Sequence, residues 1–457
     1  VIPQEKVDIT AAATVSNGSF LNLPYDMIVE NGELVANVAK DLVEITGTAD
    51  VSGVPSDFSF RSDAINDNVS FIGKMVPSTV MASSLAQLTS FEIGGRVGGS
   101  VTMSTDMSFE TVKIQLNADM RGASVNVPIL SWAKLPAENG HARMTFVLRD
   151  GRIDTLQDVD IALGSLSVIG QVLLGQGGSI QGVFLERAKW PGNDLREVMI
   201  ENSDDGMKIG AQARLVDLSP LRRNSGVGAE RNISFDIIAE QFVIGDGITL
   251  SGHLTGNKRR AGGGDALFNG DLMFQGRTLI AESEIKLRFG KSVERLTGTG
   301  LVGGAEAEIN FVSSENTRPK LIMKSENAGR MLNGLNVTDA IRSGSIVLTN
   351  EFVKGNFVEF DTDIKMRNFN VVEAPRAVRA FSVLGPVGLL QLVKGDGTPF
   401  EWGEARFEKR GSNVNITKMR GGGSAVALSL VGRYDTVSRD VDVSGNLVPA
   451  SLVNQVI

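Results

Sequence analysis

Histidine and cysteine, the residues most often used for acid–base or metal chemistry near neutral pH, are scarce in this chain. The sequence contains two histidines, His141 and His253, and no cysteine, which excludes disulfides, thiolate metal sites and cysteine nucleophiles. A metal site would depend almost wholly on carboxylates, yet no D-x-D-x-D-G calcium loop occurs. The densest acidic cluster, NSDDG at 202–206, is typical of an exposed turn before a strand at Met207. The sequence therefore predicts no metal site and no cofactor.

One glycine motif, GTGLVG at 298–303, matches the dinucleotide-binding pattern G-x-G-x-x-G. That pattern binds a pyrophosphate only where it leads into a helix, whereas the residues that follow here alternate like a strand, so we predict a hairpin. The sequence has no P-loop, G-x-S-x-G or H-E-x-x-H motif. Because catalysis needs titratable groups gathered in a pocket, we predict a protein without catalytic residues. Carboxylates that converge only in the folded chain are the alternative.

The charge pattern and the aromatic residues also exclude classes of ligand. The net charge is −8, with 45 basic and 53 acidic residues interspersed, whereas nucleic-acid binding needs clustered Lys and Arg. The 21 Phe, against three Trp and two Tyr, favour an apolar lining over stacking on bases or sugars. Two short basic stretches, LRR at 221–223 and KRR at 258–260, are solvated loops or, alternatively, contacts to anionic lipid headgroups.

The elements that must position these residues are strands with one apolar face. Apolar and polar residues alternate strictly in KIQLNADM (113–120), MKIGAQARL (207–215), EIKLRF (284–289) and NVNITKM (413–419). This period is typical of antiparallel strands with one wet face, and turns such as RDGR separate the runs. We therefore predict a mainly β fold with a few short helices. The alternation places these candidate residues on the apolar face: Ile114, Leu116, Ile209, Ile285, Leu287, Phe289, Val414 and Ile416.

Helical patterns occur in 77–90, 326–335 and 377–393, and we also predict helix in the opening stretch of the chain. The most apolar of them, AVRAFSVLGPVGLLQLV (377–393), is interrupted at Gly385-Pro386, so we predict a short helix pair within 375–394. About 14 uncharged residues lie between its flanking charges, fewer than the roughly 20 that a membrane span needs. The pair is either a cap on one end of a β assembly or an apolar lip that meets lipid. Its predicted apolar contacts are Phe381, Leu384, Leu389, Leu390 and Leu392.

The C-terminal part of the chain carries motifs of a known family. Residues 366–407 and 420–454 resemble the C-terminal region of the AsmA-like family, in its YhdP-like branch. The first motif is an F-x-(two or three residues)-A-P element followed by an apolar helical pair. It is matched at Phe369, Ala374, Pro375, Gly385 and Gly388. The second, a turn and packing signature, is matched at Gly432, Asp435, Val441, Asp442, Gly445, Val448, Pro449, Ala450 and Asn454. Residues 130–146, with Trp132 and Lys134, and residues 327–348 resemble further regions of the same proteins.

This resemblance implies a non-enzymatic periplasmic protein of Gram-negative bacteria that moves phospholipid toward the outer membrane. The implied fold is an elongated, twisted antiparallel β-sheet groove of repeating, taco-shaped units with an apolar interior. The implied partners are phospholipid acyl chains, the inner membrane, and the outer membrane or its proteins. Because the chain begins at Val1 without a signal peptide, we expect it to be a segment whose N-terminal inner-membrane anchor is missing.

The sequence alone leaves the organisation and two other functions open. We expect a β groove over 1–225, its continuation over 226–325, and an AsmA-like C-terminal region over 326–457. The main alternative to lipid transfer is a scaffold for outer-membrane proteins, with its apolar faces packed into a closed core. A glycan-acting β-helix enzyme is a weaker alternative, because such enzymes have stricter turn spacing and clustered carboxylates. The discriminating feature is whether the apolar face is filled or left open.

Overall fold

The computed structural model describes residues 10–20, 28–51, 53–79, 82–83, 91–130, 132–175, 179–219, 231–245, 247–260, 262–290, 293–314, 316–372, 397–423 and 426–449. Over these ranges the protein is mainly β, and the described strand pairings are antiparallel. The prediction of an antiparallel β fold with little helix is confirmed. The chain divides into two compact units, Val1–Val216 and Asp217–Ile457, and the three-part division expected from the sequence stays a prediction.

The first unit is an antiparallel meander with a small second sheet. Its strands are β1 (Ala11–Phe20), β2 (Val29–Ala39), β3 (Leu42–Val51), β4 (Val54–Asp63), β5 (Asn68–Ser78), β6 (Glu92–Gly95), β7 (Val97–Thr105), β8 (Thr111–Asp119), β9 (Ala123–Val127), β10 (Trp132–Lys134), β11 (Gly140–Arg149), β12 (Arg152–Leu163), β13 (Leu166–Leu174), β14 (Ile180–Trp190), β15 (Asn193–Ser203) and β16 (Gly206–Asp217). A 3-10 turn, Pro128–Leu130, precedes β10.

In the meander, each strand from β1 to β16 pairs with the next, apart from β6, β9 and β10. Those three strands form the small sheet, in the order β10-β9-β6. They come from the β5–β7 and β8–β11 connections, which leave the meander at the same margin because alternate turns of a meander share a side. We call the small sheet the cover.

The second unit is also an antiparallel meander. Its strands are β17 (Ile233–Gly245), β18 (Ile248–Lys258), β19 (Gly264–Phe274), β20 (Arg277–Phe289), β21 (Val293–Val302), β22 (Ala305–Ser314), β23 (Thr317–Ser325), β24 (Ile341–Arg342), β25 (Ser345–Val353), β26 (Asn356–Val371), β27 (Thr398–Arg410), β28 (Asn413–Gly422), β29 (Val426–Asp435) and β30 (Val441–Pro449). One helix, α1 (Ala328–Gly334), lies in the β23–β25 connection, and β24 pairs with the end of β26.

Neither meander closes into a barrel, since the described pairings proceed from each strand to its neighbour. Tight turns produce this topology. The β11–β12 turn, predicted from RDGR, has Asp150 at φ 49° and Gly151 at φ 77°, as two-residue hairpin turns require. Gly303 and Gly304 form the same kind of turn, at φ 59° and 80°, between β21 and β22. The hairpin predicted for GTGLVG is therefore confirmed.

The helical predictions have mixed outcomes. The helix predicted for 326–335 is confirmed as α1, whose first turn is capped by Asn327 through a 3.0 Å hydrogen bond from the Arg330 amide to Asn327 Oδ1. The helix start predicted at Pro77 is wrong, because Pro77 and Ser78 continue β5 and Ser78 pairs with Val97. The helix pair predicted for 375–394 lies outside the described residues.

Candidate functional site

The main feature of the first unit is a row of apolar side chains that crosses its meander. Directly paired residues on neighbouring strands lie on the same face, so the pairings can be followed from β1 to β16. We call the result the unit-1 row. Its members are Ala13, Ala36, Ile45, Phe60, Phe71, Met103, Ile114, Phe146, Leu156, Val172, Val183, Ile200 and Ile209. Every strand of the meander contributes one apolar residue.

The second unit has the same feature. Its unit-2 row consists of Ile237, Leu254, Phe268, Ile285, Gly298, Ile309, Met323, Leu348, Ile364, Ala405, Met419, Leu430 and Gly445. A parallel unit-2 second row lies two residues away on each strand except β28, where a bulge makes the separation three residues. It consists of Phe235, Gly256, Ala266, Leu287, Leu296, Phe311, Leu321, Asn350, Thr362, Phe407, Ile416, Gly432 and Val443.

The second row contains one polar pair, and the two residues satisfy each other. Thr362, only 7% exposed, donates a 2.7 Å hydrogen bond from its hydroxyl to Asn350 Oδ1. Buried polar atoms are tolerated when they are paired in this way. The apolar residues of the second row are therefore interrupted at the Thr362–Asn350 pair, which carries no charge.

Much of this face is neither fully buried nor fully exposed. From Phe146 to Ile209 the unit-1 row is half-buried, and so is most of the unit-2 second row, for example Leu287, Phe311 and Ile416. Side chains in a closed core would be almost completely buried. Each of these residues therefore keeps apolar surface that another apolar group could cover.

The residues predicted from alternation lie on strands and have their side chains on this face. Ile114 and Ile209 belong to the unit-1 row, Ile285 to the unit-2 row, and Leu287 and Ile416 to the second row. Leu116 lies two residues along β8 from Ile114, on the same face, and pairs with Val101 and Met144. The helix-pair residues Phe381, Leu384, Leu389, Leu390 and Leu392 lie outside the described residues.

Phe289 and Val414 lie nearer the margin, where polar residues enter the pairing. Phe289 pairs with Gly264 and Glu294, and Val414 pairs with Lys409 and Tyr434. The structure brings the predicted residues onto shared rows but does not gather them into one pocket. Sequence reasoning missed members such as Phe60, Met103 and Phe146, whose strands alternate less clearly and whose alignment depends on register.

In the second unit, the opposite face of β26, β27 and β28 carries charged side chains in cross-strand pairs. Arg406 Nη2 lies 2.8 Å from Asp363 Oδ2, and Lys418 Nζ lies 2.6 Å from Glu404 Oε1. The hydrogen bond from Lys418 lowers the pKa of Glu404, and the one to Asp363 raises the pKa of Arg406. These exposed pairs add little stability, but they keep this face hydrated.

The cover packs on the margin of the first unit and depends on two residues noted in the sequence. Trp132, on β10, donates a 2.9 Å hydrogen bond from its indole N–H to Ser165 Oγ in the β12–β13 turn. Lys134 is 1% exposed, and its ammonium donates to the carbonyls of Ala123 (2.8 Å) and Leu135 (3.0 Å). Burial lowers the pKa of Lys134. Trp132 thus attaches the cover to the meander, whereas Lys134 joins β10 to β9 within the cover.

Helix α1 covers the corresponding apolar surface in the second unit. Its buried residues Ala328, Met331 and Leu332 pack with Val302, Ile309 and Ile346. Beside it, the rings of Phe369 and Phe400 stack with centroids 5.3 Å apart. These contacts close part of one margin with apolar side chains.

Within the described ranges, no group of His, Asp and Glu residues is arranged to hold a metal ion. His141 and His253 each lie beside one aspartate, at 3.5 Å from Asp160 and 2.7 Å from Asp236. The part of the chain that the structure covers also contains no helix long and apolar enough to cross a membrane. No family model, curated protein or solved structure matches this chain, and the resemblance to the AsmA-like family stays a prediction.

Proposed function

We propose that this chain is a non-enzymatic lipid-transfer protein whose apolar face binds phospholipid acyl chains. In this proposal it carries phospholipid between the inner and outer membranes of a Gram-negative envelope. The observation that carries the proposal is the succession of apolar cross-strand pairs that reaches every meander strand of each unit. The envelope location rests on the sequence resemblance alone.

An acyl chain suits such a face because hydrophobic attraction is non-directional. Each methylene that leaves water contributes about 0.8 kcal/mol, whichever side chain covers it. A chain can therefore move from Val172 to Val183 to Ile200 with little change in free energy, since each offers a similar half-buried surface. A continuous row supports movement, whereas a pocket would favour one bound position.

Native mass spectrometry with lipid extraction tests this proposal on the protein purified from a Gram-negative periplasm. We expect several phospholipids to accompany each chain. Val172→Asp in the unit-1 row and Leu287→Asp in the second row should each lower the bound lipid about tenfold, because a carboxylate in an apolar lining costs several kcal/mol. Gln171→Asp is the matched control, because Gln171 is exposed on the other face of the same strand.

Far-ultraviolet circular dichroism establishes that each variant is folded. A folded, lipid-free protein would contradict the proposal and favour a scaffold for outer-membrane proteins. Equal lipid loss in Gln171→Asp and Val172→Asp would also contradict it, since the effect would then not depend on the face.

A further inference from the structure

The first unit exposes neighbouring apolar side chains on the face opposite its apolar row. Leu173, Phe184 and Met199 each adjoin a member of the unit-1 row along its strand, so their side chains lie on the other face. They are 50%, 42% and 47% exposed, respectively. Phe184 pairs directly with Met199, and Leu173 pairs with Gly182, two residues from Phe184. Exposed apolar side chains that adjoin one another, unlike scattered ones, mark an interaction surface.

Basic residues adjoin these apolar side chains on the same face. Ile169, four residues before Leu173 on β13, pairs with Arg187, and Arg187 pairs with Arg196. Lys189 lies two residues beyond Arg187 on β14. In the part of the chain that the structure describes, the side chains of Lys189 and Arg196 form no hydrogen bond or ion pair. Because like charges directly opposite each other repel, an anion bound between Arg187 and Arg196 would be stabilising.

A buried carboxylate orients two guanidinium groups at this surface. Asp194 is only 4% exposed, and its Oδ2 accepts a 3.1 Å hydrogen bond from Arg214 Nε. Arg187 Nε lies 3.8 Å from Asp194 Oδ1, which accepts no hydrogen bond. Both arginines thus approach Asp194 through Nε, and among the described residues their Nη groups have no hydrogen-bond partner. Guanidinium N–H groups are well suited to phosphate oxygens.

The charge of this surface has the opposite sign to that of the whole chain. Four cations lie among three carboxylates: Arg187, Lys189, Arg196 and Arg214 with Asp194, Glu186 and Glu197. The excess is one positive charge, whereas the chain carries −8. One carboxylate is engaged elsewhere, since Glu197 Oε2 accepts a 2.6 Å hydrogen bond from Gln212. We call the four cations, together with Ile169, Leu173, Phe184 and Met199, the outer patch.

We propose that the outer patch binds the surface of an anionic phospholipid bilayer. The cations meet lipid phosphates, while Leu173, Phe184 and Met199 enter the interfacial region of the bilayer. A neutral bilayer gains little from the cations, and an acidic protein gains little from the apolar side chains. A second copy that docked through the same patch would bring the arginines of both copies together. The proposal goes beyond lipid transfer, because the outer patch and the unit-1 row lie on opposite faces of the meander.

Vesicle co-sedimentation of the full chain tests the proposal. The probes are vesicles of equal parts phosphatidylglycerol and phosphatidylcholine, and vesicles of phosphatidylcholine alone. We expect Lys189→Gln/Arg196→Gln to weaken binding to the mixed vesicles about tenfold and to reduce its dependence on salt. Phe184→Ser/Met199→Ser should also weaken this binding about tenfold, with the salt dependence kept.

Two matched controls separate position from composition. Lys40→Gln/Arg152→Gln removes the same charge from exposed residues at turns of the first unit. Val35→Ser/Ile72→Ser removes apolar side chains that are 45% and 48% exposed on β2 and β5. Both controls should bind the mixed vesicles as the unchanged protein does. Far-ultraviolet circular dichroism establishes the fold of each variant, and Met199→Ser alone serves if Phe184→Ser/Met199→Ser does not fold.

The outcomes separate this proposal from lipid transfer. Unchanged binding in both patch variants would overturn it, and so would an equal loss in the controls. If Val172→Asp abolishes vesicle binding while both patch variants keep it, the apolar row is the contact and the outer patch is not. A dimer in sedimentation velocity that only Phe184→Ser/Met199→Ser abolishes, with vesicle binding unchanged, would assign the patch to a second copy. Patch-dependent binding by a protein that carries no lipid would support this proposal and contradict lipid transfer.

Discussion

At the scale of single residues, two polar side chains on the apolar face are hydrogen-bonded to each other. Thr362 and Asn350 are the polar members of the unit-2 second row, and their side chains are joined at 2.7 Å. A hydrogen bond inside an apolar environment contributes only modestly, but an orphaned partner costs the full desolvation of that group. The pair is therefore stable only as a pair.

A double-mutant cycle tests this dependence. Thr362→Val should lower the free energy of unfolding by about 1–3 kcal/mol, because it leaves Asn350 Oδ1 without its donor. Adding Asn350→Leu should restore most of the loss, since both polar groups are then gone. Urea unfolding measures both variants. If the double variant is less stable than Thr362→Val, the hydrogen bond is not the cause.

At the scale of elements, helix α1 is held against the β21–β22 turn by two glycines. A Cβ on Gly334 would lie 2.1 Å from the carbonyl oxygen of Gly303 and 2.3 Å from its Cα. Backbone atoms cannot give way as a flexible side chain can. This close approach lets Met331, which is completely buried, reach the core of the second unit.

We predict that Gly334→Ala displaces α1 and lowers the free energy of unfolding by about 1–3 kcal/mol, the usual cost of overpacking. The control is Gly182→Ala, where the nearest atom to an added Cβ is 3.6 Å away. Thermal unfolding compares the two variants, and hydrogen exchange in 328–334 reports the helix itself. Equal stability of the two variants would show that the Gly303–Gly334 contact is not tight.

Strand register also depends on β-bulges, which the sequence pattern indicates only weakly. Asp158, Glu197 and Glu282 have φ near 50° and lie at register shifts in β12, β15 and β20. Each shift is a β-bulge that inserts residues into one strand. The bulges allow strands of unequal pattern to keep their apolar residues on one face.

At the scale of the whole molecule, carboxylates with lowered pKa values make stability depend on acid pH. Hydrogen bonds from Ser412 and from the amides of Ser438 and Val437 lower the pKa of Asp435 from 3.8 to about 2. A hydrogen bond from Asn66 likewise lowers the pKa of Asp63, and one from Ser108 lowers that of Asp106. Such groups occur in both units.

The sign of the effect follows from proton binding. The unfolded chain binds more protons than the folded chain between the two pKa values, so stability rises with pH in that window. We expect the contribution of Asp435 to be complete above about pH 4 and to disappear as the pH falls toward about 2. Asp435→Asn should flatten the dependence of the melting temperature on pH in this range. Ser412→Ala should do so in part, and a profile unchanged in both variants would contradict the assignment.

The sequence by itself determined the local pattern of this protein. Alternation in stretches such as 113–120 predicts strands with one apolar face, and RDGR and GTGLVG predict hairpins, because side-chain period and turn angles are properties of a few consecutive residues. The same sequence predicts α1, whose cap and apolar spacing are also local. Alternation alone predicts that Ile114 and Ile209 lie on the apolar face.

Only the tertiary structure decided which of these residues stand side by side. Val172 meets Val183, and Ile200 meets Ile209, because bulges and long-range pairing set the register, and no local pattern encodes a partner many residues away. The burial of Lys134 and the close approach of Gly303 to Gly334 likewise depend on segments that meet only in the fold. The pairing of Lys258 with Gly264, which makes the first residue of the basic stretch 258–260 part of β18, also depends on register. Local chemistry sets the faces, and long-range pairing aligns them into rows.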